Sequence, residues 1–316
     1  MKNSKLHLGI DTSNYTTSLA LCDENGTVVA NIKRILDVKL GEKGLRQSDA
    51  VFSHVKNLPE LSSQLHEAIG TLQIASIGVS ATPRDVEGSY MPCFLVGKAI
   101  AYSLGATHNA PVYEFSHQAG HVMAAIYSSG HLDSLINNDF IAFHVSGGTT
   151  EALYVKPNES SFDISIIADT ADISAGQAID RAGVFMGMKF PCGREIEENA
   201  LKYNGELPKA KISVKNGKCN LSGVENIITK LYGESNDKEM VSAFVLSFVE
   251  RTLVKLTEDI RVEYPDVPII YAGGVMSNSI IKKALAKFEN TYFAAPEFSS
   301  DNAAGVSLLA RRSFNK

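Results

Sequence analysis

The chain has 316 residues, 44% of them hydrophobic and 21% charged, so a prior of about one domain per ~150 residues allows two domains with real cores. Small stapled scaffolds and disordered chains are excluded. Thirty Lys and Arg against thirty-five Asp and Glu leave a net charge of −5, which argues against broad attraction to phosphate backbones but leaves room for a local basic patch or a basic partner.

Cys22, Cys93, Cys192 and Cys219 lie far apart with no Cys-x-x-Cys pair, so no zinc ribbon or dithiol motif is written, and a reducing cytoplasm is expected. Met1 to Lys5 run straight into Leu6-His7-Leu8-Gly9-Ile10 without an apolar signal core. No stretch reaches the ~18–20 apolar residues of a membrane span. The expectation is a soluble cytoplasmic protein with no membrane partner.

In chain order, Leu6 to Ile10 and Thr16 to Leu21 read as strands, Asp23-Glu24-Asn25-Gly26 as a hairpin turn, and Thr27 to Ile32 as a third strand. From Asp49 to Leu72 apolar residues recur at helical spacing, with Pro59 expected to break or kink the helix. Ile74 to Ser80 follows as a strand and Val96 to Leu104 as a helix, a mixed α/β order. Around Asn137 the pattern restarts: Asp139 to Ser146, Ala152 to Val155 and Ile164 to Ala168 read as strands. Helices follow over Ile173 to Met186 and Glu239 to Arg261, then a strand Val267 to Tyr271, a helix Asn278 to Lys287, a strand Tyr292 to Ala294 and a last helix that Asp301 could cap. Residues 203 to 238 read as an exposed polar excursion.

Asp11 to Leu21 and Val145 to Val155 share a design, strand, tight polar turn, strand. The expectation is two related lobes, 1–136 and 137–316, facing one another across a cleft, with a final helix at about 302–314 that can pack back on the first lobe.

His117-Gln118-Ala119-Gly120-His121 sets two imidazoles four apart on one helix face, able to reach one metal ion, with Ser116 as N-cap. The plain alternative is two unrelated surface histidines. Two ligands do not make a site; His144 and Asp301 are the further candidates, and a His/His/Asp set suits iron or zinc. Gly147-Gly148 between strands and Gly273-Gly274 between strand and helix let backbone N–H groups approach phosphate or adenine, although plain turn chemistry explains either pair alone. Neither fits a P-loop or Rossmann pattern. Asp180 and Glu197 could accept hydrogen bonds from ribose hydroxyls, or stand as solvated surface charges.

The motifs in order, Leu8-Gly9-Ile10-Asp11-Thr12-Ser13, Ser116-His117-x-x-Gly120-His121, Val145-Ser146-Gly147-Gly148-Thr149-Thr150, Ala175 to Asp180, Phe190-Pro191-Cys192-Gly193, Gly273 to Asn278 and Ser300 to Ala304, span nearly the whole chain. They resemble the universal tRNA threonylcarbamoyladenosine synthase family, TsaD in bacteria and the catalytic subunit of KEOPS elsewhere, formerly described as an O-sialoglycoprotein endopeptidase. The resemblance implies the two-lobed actin-like fold of sugar kinases, Hsp70 and actin (ASKHA), an α/β architecture of duplicated RNase H-like domains with a central cleft. It implies that His117, His121 and Asp301 act through a divalent metal, iron or zinc, with His144 as a fourth ligand. Ser146, Gly147 and Gly148 would line a threonylcarbamoyl-adenylate or adenine nucleotide, Asp180, Gly193 and Glu197 its ribose, and Gly273, Gly274 and Asn278 its adenosine end. The acceptor is the exocyclic amine of an adenosine in tRNA, and the partners are tRNA and TsaB- or TsaE-like proteins, or a second copy in a homodimer.

The departures mark the chain as a divergent paralogue. Asn14-Tyr15-Thr16 stand where the family has Cys-Asp-Glu, Thr149 and Glu151 where it has histidine and glutamine, and Val51-Phe52 where Ser-Arg precedes the histidine aligned with His54. The alternatives are a non-catalytic nucleotide-binding scaffold in a tRNA-modification complex, and a carbamoyl transferase with a different acceptor. An actin-fold kinase would need an acidic base that is not evident. A metalloprotease is excluded because the His117 to His121 stretch lacks the glutamate of His-Glu-x-x-His.

Overall fold

The computed structural model describes residues 5–13, 15–37, 45–70 and 73–316. The opening apolar run is the strand β1 (Lys5–Ser13), buried throughout after Lys5, as a strand covered on both faces must be. It pairs antiparallel with β2 (Thr16–Cys22), which pairs antiparallel with β3 (Val28–Ile35). On its other side β4 (Gln73–Thr82) and then β5 (Val112–Ser116) join in parallel, giving the order β3-β2-β1-β4-β5.

Between these strands run α1 (Gln47–Ile69) and α2 (Phe94–His108), followed by α3 (His117–Ser128) and the single turn α4 (Leu132–Leu135). Where the sequence suggests a break, α1 runs on through Pro59. Both Pro59 and Val55 are exposed, so the Val55 carbonyl that loses its helical donor is left on the solvent face. The expected end at Leu72 lies outside the described residues.

A second sheet is built from β6 (Phe140–Val145), β7 (Thr150–Pro157), β8 (Phe162–Thr170), β9 (Ser213–Lys215), β10 (Lys218–Asn220), β11 (Ile269–Ala272) and β12 (Thr291–Phe293), in the order β12-β11-β6-β7-β8-β10-β9. Leaving out β9 and β10, its strands repeat the first sheet: third, second, first, fourth, fifth in chain order. The first pair is again antiparallel and the fourth strand again parallel to the first. Helices α5 (Ala175–Phe185), α6 (Gly193–Ala200), α7 (Gly223–Ser235), α8 (Lys238–Glu263) and α9 (Ser279–Leu285) accompany it. Phe143, Tyr271 and Phe293 stack across neighbouring strands at 4.9 and 5.2 Å between ring centres.

The segment read as an excursion is more integrated than its composition suggests. Ala210, Cys219, Leu221, Val224 and Ile228 belong to the same core as α8, while Lys211, Lys215 and Lys218 between them stay exposed. Short alternating apolar positions within a polar stretch give little periodic signal.

By internal contacts the chain forms two compact units, one of residues 1–132, 157–164 and 298–316, the other of 133–156 and 165–297. The last helix, α10 (Ala304–Phe314), belongs to the first unit. It lies against β1 and β4 at two glycines: a Cβ on Gly9 would stand 2.2 Å from the Ala303 carbonyl oxygen, and one on Gly78 would stand 2.1 Å from that of Val306. Asp301 does not cap this helix; Asn302 Oδ1 accepts from the Ala304 N–H instead.

Beside α10, His7 is buried, bonded to Ser76 at 2.7 Å and set edge-on to Phe314. Burial, with the nearby Arg311 charge, holds its imidazole down to about 4. The folded state therefore prefers neutral His7, and its stability is full above the unfolded value of ~6.5 and falls as pH drops toward 4. Denaturant unfolding should lose roughly 2 kcal/mol between about pH 7 and pH 5 on this account, and the loss should shrink in His7→Gln.

Candidate functional site

Ser116 ends β5 and caps α3, its hydroxyl accepting from the Ala119 N–H at 3.2 Å, which fixes where the helix begins. His117 and His121 consequently stand one turn apart on the same face. The chain then returns 180 residues later with Asp301, just before α10. His117 Nε2 and His121 Nε2 are 2.9 Å apart, and Asp301 Oδ1 is 3.1 Å from His121 Nε2 and 3.6 Å from His117 Nε2. These three are the group among the described residues whose ligand atoms could hold one metal ion.

A fourth side chain orients the first. Asp11, buried at the end of β1, accepts from His117 Nδ1 at 2.6 Å, from Ser80 Oγ at 2.7 Å and from the Ser13 N–H at 2.7 Å. This holds the His117 proton on Nδ1 and turns Nε2 toward His121 and Asp301, the arrangement of a carboxylate behind a ligating imidazole. Burial alone would raise the Asp11 carboxyl, but the charge of His117 and hydrogen bonds from His117 and Ser80 bring it below its ordinary value. Burial opposes a charge on His117 too, yet Asp11 and Asp301 carry that imidazole up to about 10. Asp301 falls well below the carboxylate range because His117 and His121 outweigh its burial.

The donor set fits a cation. Ligands about 2.1 Å from one ion stand about 3.0 Å apart at octahedral and about 3.4 Å at tetrahedral angles, and separations of 2.9, 3.1 and 3.6 Å span both. Two imidazole nitrogens and a carboxylate suit iron or zinc and would be poor ligands for calcium or magnesium.

The remaining site candidates lie in the second unit. β6 and β11 run parallel, and their C-terminal ends lead into Ser146-Gly147-Gly148 and Gly273-Gly274, the edge at which open α/β sheets take ligands. Gly176 N–H donates to the Ser146 carbonyl at 3.1 Å, and a Cβ on Gly176 would be 2.6 Å from that oxygen, so the first turn of α5 abuts the glycine turn. Gly273, at φ +104, sits 2.2 Å from the Val145 carbonyl at its would-be Cβ.

One turn along α5, Asp180 accepts from the Cys192 N–H at 2.7 Å, beside Gly193 at the start of α6; burial raises its carboxyl. Glu197 on α6 accepts from the Ser279 N–H and hydroxyl, and Asn278 caps α9 by accepting from Ile280 and Ile281. These residues thus form one linked rim on the second unit. His144 is also there, on β6 beside Ala272, and is not part of the three-residue cluster.

Two participants escaped the sequence reading: Asp11, and Thr16, whose hydroxyl donates to Asp301 Oδ2 at 3.3 Å. The available signal for Asp11 was a carboxylate closing an otherwise buried apolar strand. Asn14, part of the departure noted there, lies outside the described residues.

Comparison with solved structures defines the class first. The component A of (R)-2-hydroxyglutaryl-CoA dehydratase from Acidaminococcus fermentans is similar at TM-score 0.58 and 15% identity, over 99% of each chain. A ROK family glucokinase from Streptomyces griseus is similar at 0.52 and 10%, over 98% of each. The chain has the actin-like (ASKHA) α/β fold, with a duplicated sheet. The family model of TsaD, tRNA N6-adenosine threonylcarbamoyltransferase, matches residues 34–308, and the enzyme of that name from Enterococcus faecalis is 29% identical over 90% of this chain and 81% of its own length. The chain belongs to the TsaD family of acyltransferases. No helix among the described residues is long and apolar enough to cross a membrane, and all four cysteines are buried free thiols.

Proposed function

We propose that this chain transfers a threonylcarbamoyl group from its adenylate to the exocyclic amine of an adenosine in tRNA, with a divalent cation held by His117, His121 and Asp301. The observation that carries the reading is the convergence of three ligand atoms within 3.6 Å, two from α3 and one from 180 residues away. In the reaction the amine nitrogen bonds to the carbamoyl carbon, the bond from that carbon to the phosphate oxygen breaks, and AMP leaves while the amine loses a proton. Iron or zinc bound there would polarise the carbonyl oxygen of the donor.

The chain's own residues do the positioning. Asp11 keeps the Nδ1 proton of His117 in place, so that Nε2 remains a ligand. The Gly147 N–H donates to no group among the described residues, and with the first turn of α5 behind it, it is suited to an anionic oxygen of the adenylate. Asp180, Gly193 and Glu197 are assigned the ribose, and Gly273, Gly274 and Asn278 the adenosine end. The acidic net charge favours basic protein partners of the TsaB or TsaE kind.

The test is transfer from synthetic threonylcarbamoyl-adenylate to unmodified tRNA, read as the modified nucleoside by mass spectrometry, with metal content measured on the same protein. Product formed at an unchanged rate after the cation has been stripped overturns the metal-dependent reading. Absence of product, with retained adenylate binding, favours the scaffold.

A further inference from the structure

The chain is acidic overall, yet residues 207–224 contain four lysines, Lys209, Lys211, Lys215 and Lys218, and no Asp or Glu. Their placement is ordered. Through Lys209 to Lys215 exposure alternates: Lys209, Lys211, Ser213 and Lys215 face solvent, while Ala210 is buried and Ile212 and Val214 pack on the core. Arg251 donates to the Ala210 carbonyl at 2.9 Å, pinning the ribbon from beneath.

Beyond Lys215 the chain turns through Asn216 and Gly217, both at positive φ, the two-residue turn that suits a tight hairpin. The turn is tied to the sheet by the Asp169 N–H, which donates to the Gly217 carbonyl at 2.9 Å.

Lys215 and Lys218 are directly opposite in register, a like-charge pair that weakens a hairpin. Asp169 compensates Lys218. Lys209, Lys211 and Lys215 are in no ion pair with a described residue. Three cations thus stand exposed on one face of an anchored ribbon with no carboxylate among the described residues in ion-pair range. Residues two apart on an extended chain are about 6.7 Å apart, close to the separation of successive phosphates on a nucleic-acid strand.

We propose that the exposed face of this ribbon, Lys209, Lys211 and Lys215, is a contact surface for the phosphate backbone of the tRNA substrate. The inference rests on tRNA being the acceptor, as proposed above. Such contacts position the nucleic acid without reading its bases, and a local strip of this kind gives modest affinity to a chain whose overall charge repels phosphate.

The test is anisotropy of labelled tRNA with the full chain across a sodium chloride series, for wild type, Lys209→Gln/Lys211→Gln/Lys215→Gln and the control Lys230→Gln. The triple variant should bind about tenfold or more weakly at ~0.1 M salt, with a log affinity against log salt slope shallower by about 2 to 3. Its KM for tRNA should rise while kcat at saturating tRNA holds, and Lys230→Gln should match wild type. An unchanged slope and KM in the triple variant, with wild type binding and modifying tRNA, overturns the ribbon and leaves the acceptor reading intact. So does a variant that keeps tRNA but loses an acidic protein partner. A wild type that neither binds nor modifies tRNA defeats the acceptor reading, and the ribbon with it.

Discussion

His121→Ala should abolish stoichiometric metal and lower threonylcarbamoyl transfer at least a thousandfold, while the melting temperature of the stripped protein stays within about 3 °C of wild type. The His121 side chain is 15% exposed, and the contacts that hold its ring are those of the ligand cluster itself, edge-on to His117 at 4.3 Å between ring centres and bonded to Asp301 at 3.1 Å. Removing it leaves His117 and Asp301 3.6 Å apart as a two-ligand remnant. Asp11→Asn is the graded companion. It keeps shape but removes the carboxylate charge behind His117, and outer partners of this kind are worth about 10–100-fold in metal affinity. Metal content by mass spectrometry and a metal titration read both variants. A His121→Ala protein that retains one equivalent of metal and full transfer would remove the cation cluster from the mechanism.

The histidine pair was legible because an i, i+4 spacing behind a capping serine is a local statement, and Ser116 caps as its position suggests. Asp301 could be named but not understood from the text. Its place just ahead of an apolar helix looks like a cap, whereas in the folded chain Ala303 takes the N-cap position, Asn302 Oδ1 accepts from the Ala304 N–H, and Asp301 turns toward His121. The role of Asp11 is not legible in its motif, since its partners Ser80 and His117 lie 69 and 106 residues away and only the parallel sheet brings them together. Most strands were legible from β-prone apolar runs. The edge strand β5 was not, because Val112 to Ser116 alternates no pattern and pairs on one side alone. The repeat of two short turn sequences proved to mark a repeat of whole sheets, whose common strand order no short similarity could have carried.

Gly305→Ala should cost about 3 kcal/mol or more and weaken metal binding at the same time, whereas Gly120→Ala should cost about 1 kcal/mol. These two glycines face one another where α3 meets α10. A Cβ on Gly305 would stand 1.8 Å from the Gly120 carbonyl oxygen, and backbone cannot yield there without parting the helices. A Cβ on Gly120 would meet Val306 Cγ1 at 3.0 Å and the Val306 N at 3.9 Å, so there a buried side chain rather than a carbonyl must yield, by a few tenths of an ångström. The contact matters to chemistry because Gly120 precedes His121 and Gly305 follows Asp301 by one turn of chain. The helix spacing therefore sets the 3.1 Å between those two ligands. Denaturant midpoints and metal titrations on both variants separate the effects: a Gly305→Ala protein that folds should lose affinity for the cation in proportion to the parting of α3 from α10. Equal, small costs in the two variants with unchanged metal affinity would show that the ligand geometry is set elsewhere, by Asp11 and the end of β1.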